Sequence, residues 1–155
     1  MPAPTMSHVI CTTALIALIF VMQFSYFYVV DNISAEMTRR ELKEIADYVS
    51  DTLANLYFLA NSTNRNVVLQ KMLNLPSAIR GSTYLMQIEF NETTRVAQHV
   101  HGYIKGKSWI DATSWILPGL RLDGQYETVE SGGKTVIAGC KRDSTSVYVW
   151  IAYEV

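Results

Sequence analysis

His99 and His101 are the residues whose types and spacing most directly suggest chemistry: two apart in an alternating stretch, they project from one face of a strand and can ligate one metal ion together. Two ligands do not hold an ion. The remaining histidine, His8, precedes a long apolar run, so a further ligand would have to be a distant carboxylate or Cys140. The pair is therefore expected on a solvated strand face, with no metal and no other cofactor. Asp111, Asp123, Glu127 and Glu130 are scattered among loops, and no spacing fixes a separation for acid/base work. Ser108 and Ser114 lack a nucleophile-elbow context, and no Gly-rich loop has phosphate-binding spacing. No catalytic residue is expected and the chain reads as a non-enzyme. Trp109, Trp115 and Trp150 either stack on a sugar or partner or fill a core; Trp109 and Trp115 are the candidates for surface recognition.

Composition narrows the classes further. Thirteen Lys and Arg against fourteen Asp and Glu leave a formal charge of −1, so no basic field exists to attract nucleic acid. The 155 residues allow one domain beside an anchor. Two cysteines, Cys11 in the apolar run and Cys140 far along the chain, form neither a disulfide framework nor a metal-type spacing.

Four segments must position these residues. Residues 1–8 form a short tail. Residues 9–30 carry no charge, and twenty-two such residues in a helix span the ~30 Å of a bilayer core. Thr12, Thr13, Gln23 and Ser25 can bond to helix carbonyls, and Tyr26, Phe27 and Tyr28 stand where an interfacial aromatic belt belongs. A cleaved secretory signal would have a shorter apolar region after a basic start. The lipid bilayer is thus an expected partner.

Residues 31–63 read as an amphipathic stalk, because neither Gly nor Pro occurs between Thr5 and Leu75 and apolar residues recur at helical spacing: Ile33, Met37, Ile45, Val49, Leu53, Leu56 and Leu59. The simplest reading is one helix from about Ser7 to Ala60, about 80 Å by helix rise. Val9, Ile16, Phe20, Phe24 and Phe27 in the anchor, with the stalk stripe through Leu56, form the expected anchoring and association face. The stripe packs either on the chain's own domain or on copies of itself, in a homo-oligomer. Asn61-Ser62-Thr63-Asn64 closes the helix.

Residues 64–155 change to period two, and every Gly lies beyond residue 80. Strands are expected near 67–75, 84–90, 96–104, 126–129, 135–140 and 147–153. In the second, Tyr84, Met86, Ile88 and Phe90 face inward while Gln87 and Glu89 face away. In the last, Val147, Val149, Ile151 and Tyr153 face inward, with Tyr148 and Trp150 turned out to cover a helix or a neighbouring subunit. The fold class is α+β: a long N-terminal helix followed by a small antiparallel β-sandwich-like domain.

Orientation draws on opposing signals. Arg39, Arg40 and Lys43 follow the apolar run, which by the positive-inside rule favours a cytoplasmic C-terminal side. Three sequons, at Asn32, Asn61 and Asn91, are glycosylation acceptors only in an exported chain. The order anchor, continuous helix, short strands resembles that of the archaeal type IV pilin-like proteins. Leu75-Pro76-Ser77-Ala78-Ile79-Arg80-Gly81-Ser82-Thr83-Tyr84 resembles the segment entering the sheet there, and Ser146-Val147-Tyr148-Val149-Trp150-Ile151 the closing strand. The resemblance implies a single-pass cell-membrane protein with its β domain outside the cell, often glycosylated, associating through its helix with copies or other pilin-like subunits in a surface filament. Met1–His8 holds no Lys/Arg-Gly processing site, which points to an unprocessed accessory subunit. The reading from another class is a tethered sensor that captures a ligand or glycan through Trp109 or Trp115.

Overall fold

A computed structural model describes residues 3–63, 65–91, 93–123, 128–143 and 146–154, with side chains from Met6 onward. A single helix, α1 (Ala3–Ser62), precedes eight strands: β1 (Val67–Leu73), β2 (Tyr84–Phe90), β3 (Ala97–Ile104), β4 (Lys107–Trp115), β5 (Arg121–Leu122), β6 (Thr128–Glu130), β7 (Val136–Arg142) and β8 (Val147–Tyr153). The helix begins before Ser7 because Pro4 lies in its first turn, where the missing N–H would have no partner in any case. Glu127 and Asn64, named above, lie outside the described residues, as does the first half of the expected 126–129 strand, while its second half falls in β6. Packing divides the chain into two units, Met1–Met37 and Thr38–Val155.

The first unit is helix alone. Every described side chain from Met6 to Ser34 is exposed, including Val9, Ile16, Phe20, Phe24 and Phe27, and Ile33 and Met37 are exposed too. An 18-residue window here reaches a mean hydropathy of 2.0 with none of it buried in the protein, which makes this a candidate single membrane span. Two threonine hydroxyls are satisfied inside the helix: Thr12 Oγ1 donates to His8 O at 2.9 Å and Thr13 Oγ1 to Val9 O at 2.7 Å.

In the second unit the helix supplies part of the core. Leu42, Ala46, Val49, Leu53, Leu56 and Ala60 are buried and recur at alternating steps of four and three, the spacing that keeps one seam on one side of a helix. The seam differs from the expected stripe. Val49, Leu53 and Leu56 belong to it, but Ile45 lies on its half-buried flank and Leu59 is 61% exposed, while Leu42 and Ala46 take the places nearer the start.

Two four-stranded sheets complete the domain, ordered β1-β7-β8-β5 and β4-β3-β2-β6. All pairs are antiparallel except β5 with β8. Tyr84, Met86, Ile88, Val100 and Ile104 bury the inner face of the second sheet, and Val136, Ala138, Cys140, Val149 and Ile151 that of the first. Gly102 lets the helix approach β3, since a Cβ there would stand 2.6 Å from Met86 Sδ and 3.3 Å from Leu42. Ile79 and Ser82 exchange backbone bonds around Arg80 and Gly81, both at positive φ, which makes a tight primed turn; Arg80 Nε then reaches Glu41 on the helix at 3.2 Å.

Trp150 departs from its expected role. It points away from the Val149 and Ile151 face, yet it is only 7% exposed because its ring lies over Gly139 on β7, where any Cβ would collide with it. The ring is consumed by its own sheet and is not offered to a neighbour. At the helix C-terminus, Arg142 Nη1 donates to the carbonyls of Ala60, Asn61 and Thr63 at 3.2, 2.7 and 3.0 Å, supplying partners that the last turn lacks.

Candidate functional site

Strand β4 is an edge strand, and its free side is met by the helix. Arg39 Nη2 donates to Trp109 O at 2.8 Å, Lys43 Nζ to Thr113 O at 2.6 Å, and Ser50 Oγ to Trp115 O at 2.5 Å. Ser114 Oγ donates to Asp47 Oδ1 at 2.5 Å, and Lys43 Nζ lies 2.8 Å from the same carboxylate oxygen. Burial opposes ionisation of Asp47, but the Lys43 and Ser114 bonds outweigh it and hold the carboxyl below its ordinary value. Edge strands left open invite pairing with other chains; this one is occupied.

With its edge held, β4 presents its odd-numbered residues on the outer face of the second sheet. Pairing with β2 and β3 aligns Glu89, His99 and Trp115 in one row, Gln87, His101 and Thr113 in the next, and Leu85, Tyr103 and Asp111 in a third. Glu89 lies between the histidines: Oε2 is 2.7 Å from His99 Nε2, and Oε1 is 2.7 Å from His101 Nδ1. Gln87 Nε2 donates to Glu89 Oε1 at 3.3 Å, and His101 Nε2 lies 3.3 Å from Asp111 Oδ2. His99 packs edge-on against Trp115 with ring centroids 5.7 Å apart, while its Nδ1 is buried without a protein partner.

The two histidines thus share one strand face, as their spacing suggests, but they are bridged by a carboxylate. Among the described residues no group of three or more His, Cys, Asp or Glu is placed to hold a metal ion. The remaining carboxylates are placed separately: Glu130 pairs with Lys105 at 2.7 Å, and Asp123 follows β5, with its N–H donating to Val149 O at 3.1 Å. A hollow of about 250 Å³ is lined by Pro76, Tyr84, Ser131 and Lys134 among others, but the Tyr84 hydroxyl donates to Pro76 O at 2.7 Å and burial pushes its pKa up to about 12. Burial likewise pushes the Cys140 thiol up to about 11, so it carries almost no thiolate near neutral pH.

The chain matches no family model, no curated protein and no solved structure. Its own geometry therefore has to carry the functional reading. Trp109 and Trp115 are 63% and 80% exposed, whereas Trp150 is buried. Asn32, Asn61 and Asn91 are all exposed, but Asn32 lies within α1 and Asn61 in its final turn. Asn91 alone of the three is on a β-turn side, where its Oδ1 accepts the N–H of Thr93 at 2.9 Å and that of Thr94 at 3.3 Å. Glu89 is the site residue that sequence reasoning did not single out. Its link to His99 comes from a register that a bulge at Glu89/Phe90 shifts by one, so counting along the hairpin would not find it.

Burial works against the Glu89 carboxylate, but the Gln87 amide and the His101 and His99 rings outweigh it and hold the pKa below its ordinary 4.5. A carboxyl whose folded-state pKa is lowered contributes stability above the ordinary value and loses it as pH falls through the lowered one. Replacing Glu89→Gln in the full chain is therefore expected to flatten the loss of stability on acidification, read as the change in urea midpoint between about pH 7 and about pH 3. A slope equal to that of the unsubstituted chain would show that the carboxylate is not held in this way.

Proposed function

We propose that the protein is a non-enzymatic, single-pass membrane subunit of a cell-surface assembly, which presents its β domain outside the cell and associates with copies or pilin-like partners through its N-terminal helix. The observation that carries this reading is the full exposure of the apolar helix surface from Met6 to Ser34, which needs lipid or other helices to cover it. The seam from Leu42 to Ala60 is already buried in the domain, so association falls to the first unit, including its exposed Ile33 and Met37.

The outward orientation rests on the exposed sequons and on the resemblance in layout to archaeal type IV pilin-like proteins. Arg39 and Lys43 have a structural reason for standing after the span, since both bond to β4 carbonyls. Asn91 is the first choice among the acceptors for a glycan.

Association is tested by oxidative crosslinking of the full chain in its native membrane. Cys11 is exposed and Cys140 is buried, so a disulfide-linked dimer would arise through the helix. Cysteine placed singly by Thr12→Cys, Thr13→Cys or Ala14→Cys in a Cys11→Ser background samples most of one helical turn. A dimer is expected for at least one position; a monomer at all of them, at native expression, contradicts self-association.

A further inference from the structure

The exposed face around Trp109 and Trp115 has a construction that the anchoring and assembly reading does not use. Both indoles are exposed on β4, six residues apart, or at most about 20 Å by the rise of a strand, because the register on β3 shifts between Asp111 and Lys107. Ile110 between them is buried, which sets Trp109 on the same side as Asp111, Thr113 and Trp115. Beside Leu85 and Tyr103 the ground between the indoles is polar, and its polar side chains hold one another in place through the Glu89 bridge to His99 and His101 and the contact of His101 with Asp111.

From this arrangement we infer that the outer face of the β4-β3-β2 sheet binds an extended, uncharged saccharide chain, with sugar rings stacked on Trp109 and Trp115 and ring hydroxyls bonded to the carboxylates and imidazoles between. A pyranose ring offers a C–H-rich face to an indole and hydroxyls around its rim, the combination this face matches. Carboxylates accept those hydroxyls, and the same charges on Glu89 and Asp111 disfavour phosphorylated or acidic polymers. A protein partner fits less well. Protein interfaces concentrate their aromatic residues in a dry centre with a polar rim, whereas here the two exposed indoles stand at the ends, with charged groups and the half-buried Tyr103 between them. A strand partner is excluded on this edge by the helix side chains that already bond to Trp109, Thr113 and Trp115 carbonyls.

The face is preorganised. The His99 ring against Trp115 limits movement of the indole, and the helix bonds hold the strand backbone, so little ordering is left for the ligand to impose.

The experiment titrates the full chain in detergent with cellohexaose, chitohexaose and mannohexaose, following tryptophan fluorescence and calorimetric heat, with the matching disaccharides and a hexagalacturonate as comparisons. Saturable binding of at least one neutral hexasaccharide is expected, with its disaccharide, too short to reach both indoles, at least tenfold weaker and the acidic oligomer weaker still. Trp115→Ala and Trp109→Ala should each weaken the hexasaccharide at least tenfold while the unfolding midpoint stays unchanged, since both side chains are exposed. Absence of binding to all three neutral probes, tighter binding of the acidic oligomer, or binding untouched by both substitutions would overturn the inference. Loss of crosslinked dimer in the Trp variants without any saccharide binding would assign the face to a protein contact and equally overturn it.

Discussion

Leu53→Ala lowers the unfolding free energy of the second unit by about 2–5 kcal/mol, the usual cost of removing a fully buried leucine and leaving a cavity. Leu53 is 0% exposed and sits mid-seam, between Val49 and Leu56, where the helix backbone limits collapse around the gap. A loss of that size is a large part of the ~5–15 kcal/mol that holds a typical domain. Leu59→Ala supplies the control. It lies six residues further along the same helix, in the stripe that spacing alone suggests, but at 61% exposure it should change stability by no more than about 0.5 kcal/mol. Thermal or urea unfolding of the full chain in detergent checks the pair. Equal effects would mean that the seam does not run through Leu42, Ala46, Val49, Leu53, Leu56 and Ala60.

That contrast also marks how far the amino-acid sequence could be read. The helix was legible because nothing breaks it: no glycine or proline occurs between Thr5 and Leu75, and α1 is continuous from Ala3 to Ser62. Its exact buried side was harder to see. Ala46 and Ala60 are small, Thr38 and Ser50 are polar, and all four are buried, so the core side is less hydrophobic than the stripe through Ile45 and Leu59 suggests. Burial there follows from the close approach of the sheet, which a single helix does not announce.

Strands β2 and β8 showed clear alternation and stand where it places them, with bounds Tyr84–Phe90 and Val147–Tyr153. Strand β4 was hidden because its alternation is inverted: Ser114 and Ala112 point toward the core side while Trp109 and Trp115 point out. A period-two test that looks for apolar residues inside reads such a segment as irregular. The burial of Trp150 was also out of reach, since it depends on Gly139 in the neighbouring strand. The His99 and His101 pair was visible from spacing, but its carboxylate partner required strand register, including the bulge, and register is a tertiary property.

The second large effect concerns topology, where the outcome is nearly all or none. All six lysines, Lys43, Lys71, Lys105, Lys107, Lys134 and Lys141, follow the uncharged run that ends at Val30. If the run spans the bilayer and the domain lies outside, every one of them is on the outer side. Lys105 is well exposed even while it holds Glu130, with 57% of its side chain accessible, so it should react readily with an amine reagent. Lys43, engaged with Asp47 and the Thr113 carbonyl, should react more slowly.

The central claim, a membrane-spanning helix that presents the β domain outside the cell, is tested most directly by treating intact cells with a membrane-impermeant amine reagent, washing the membranes at alkaline pH, and mapping the labelled lysines by peptide mass. The expected result is a chain that stays with the washed membrane and carries label at Lys105 before lysis. A chain released by the alkaline wash, or one labelled at Lys105 only after the cells are opened, would contradict it.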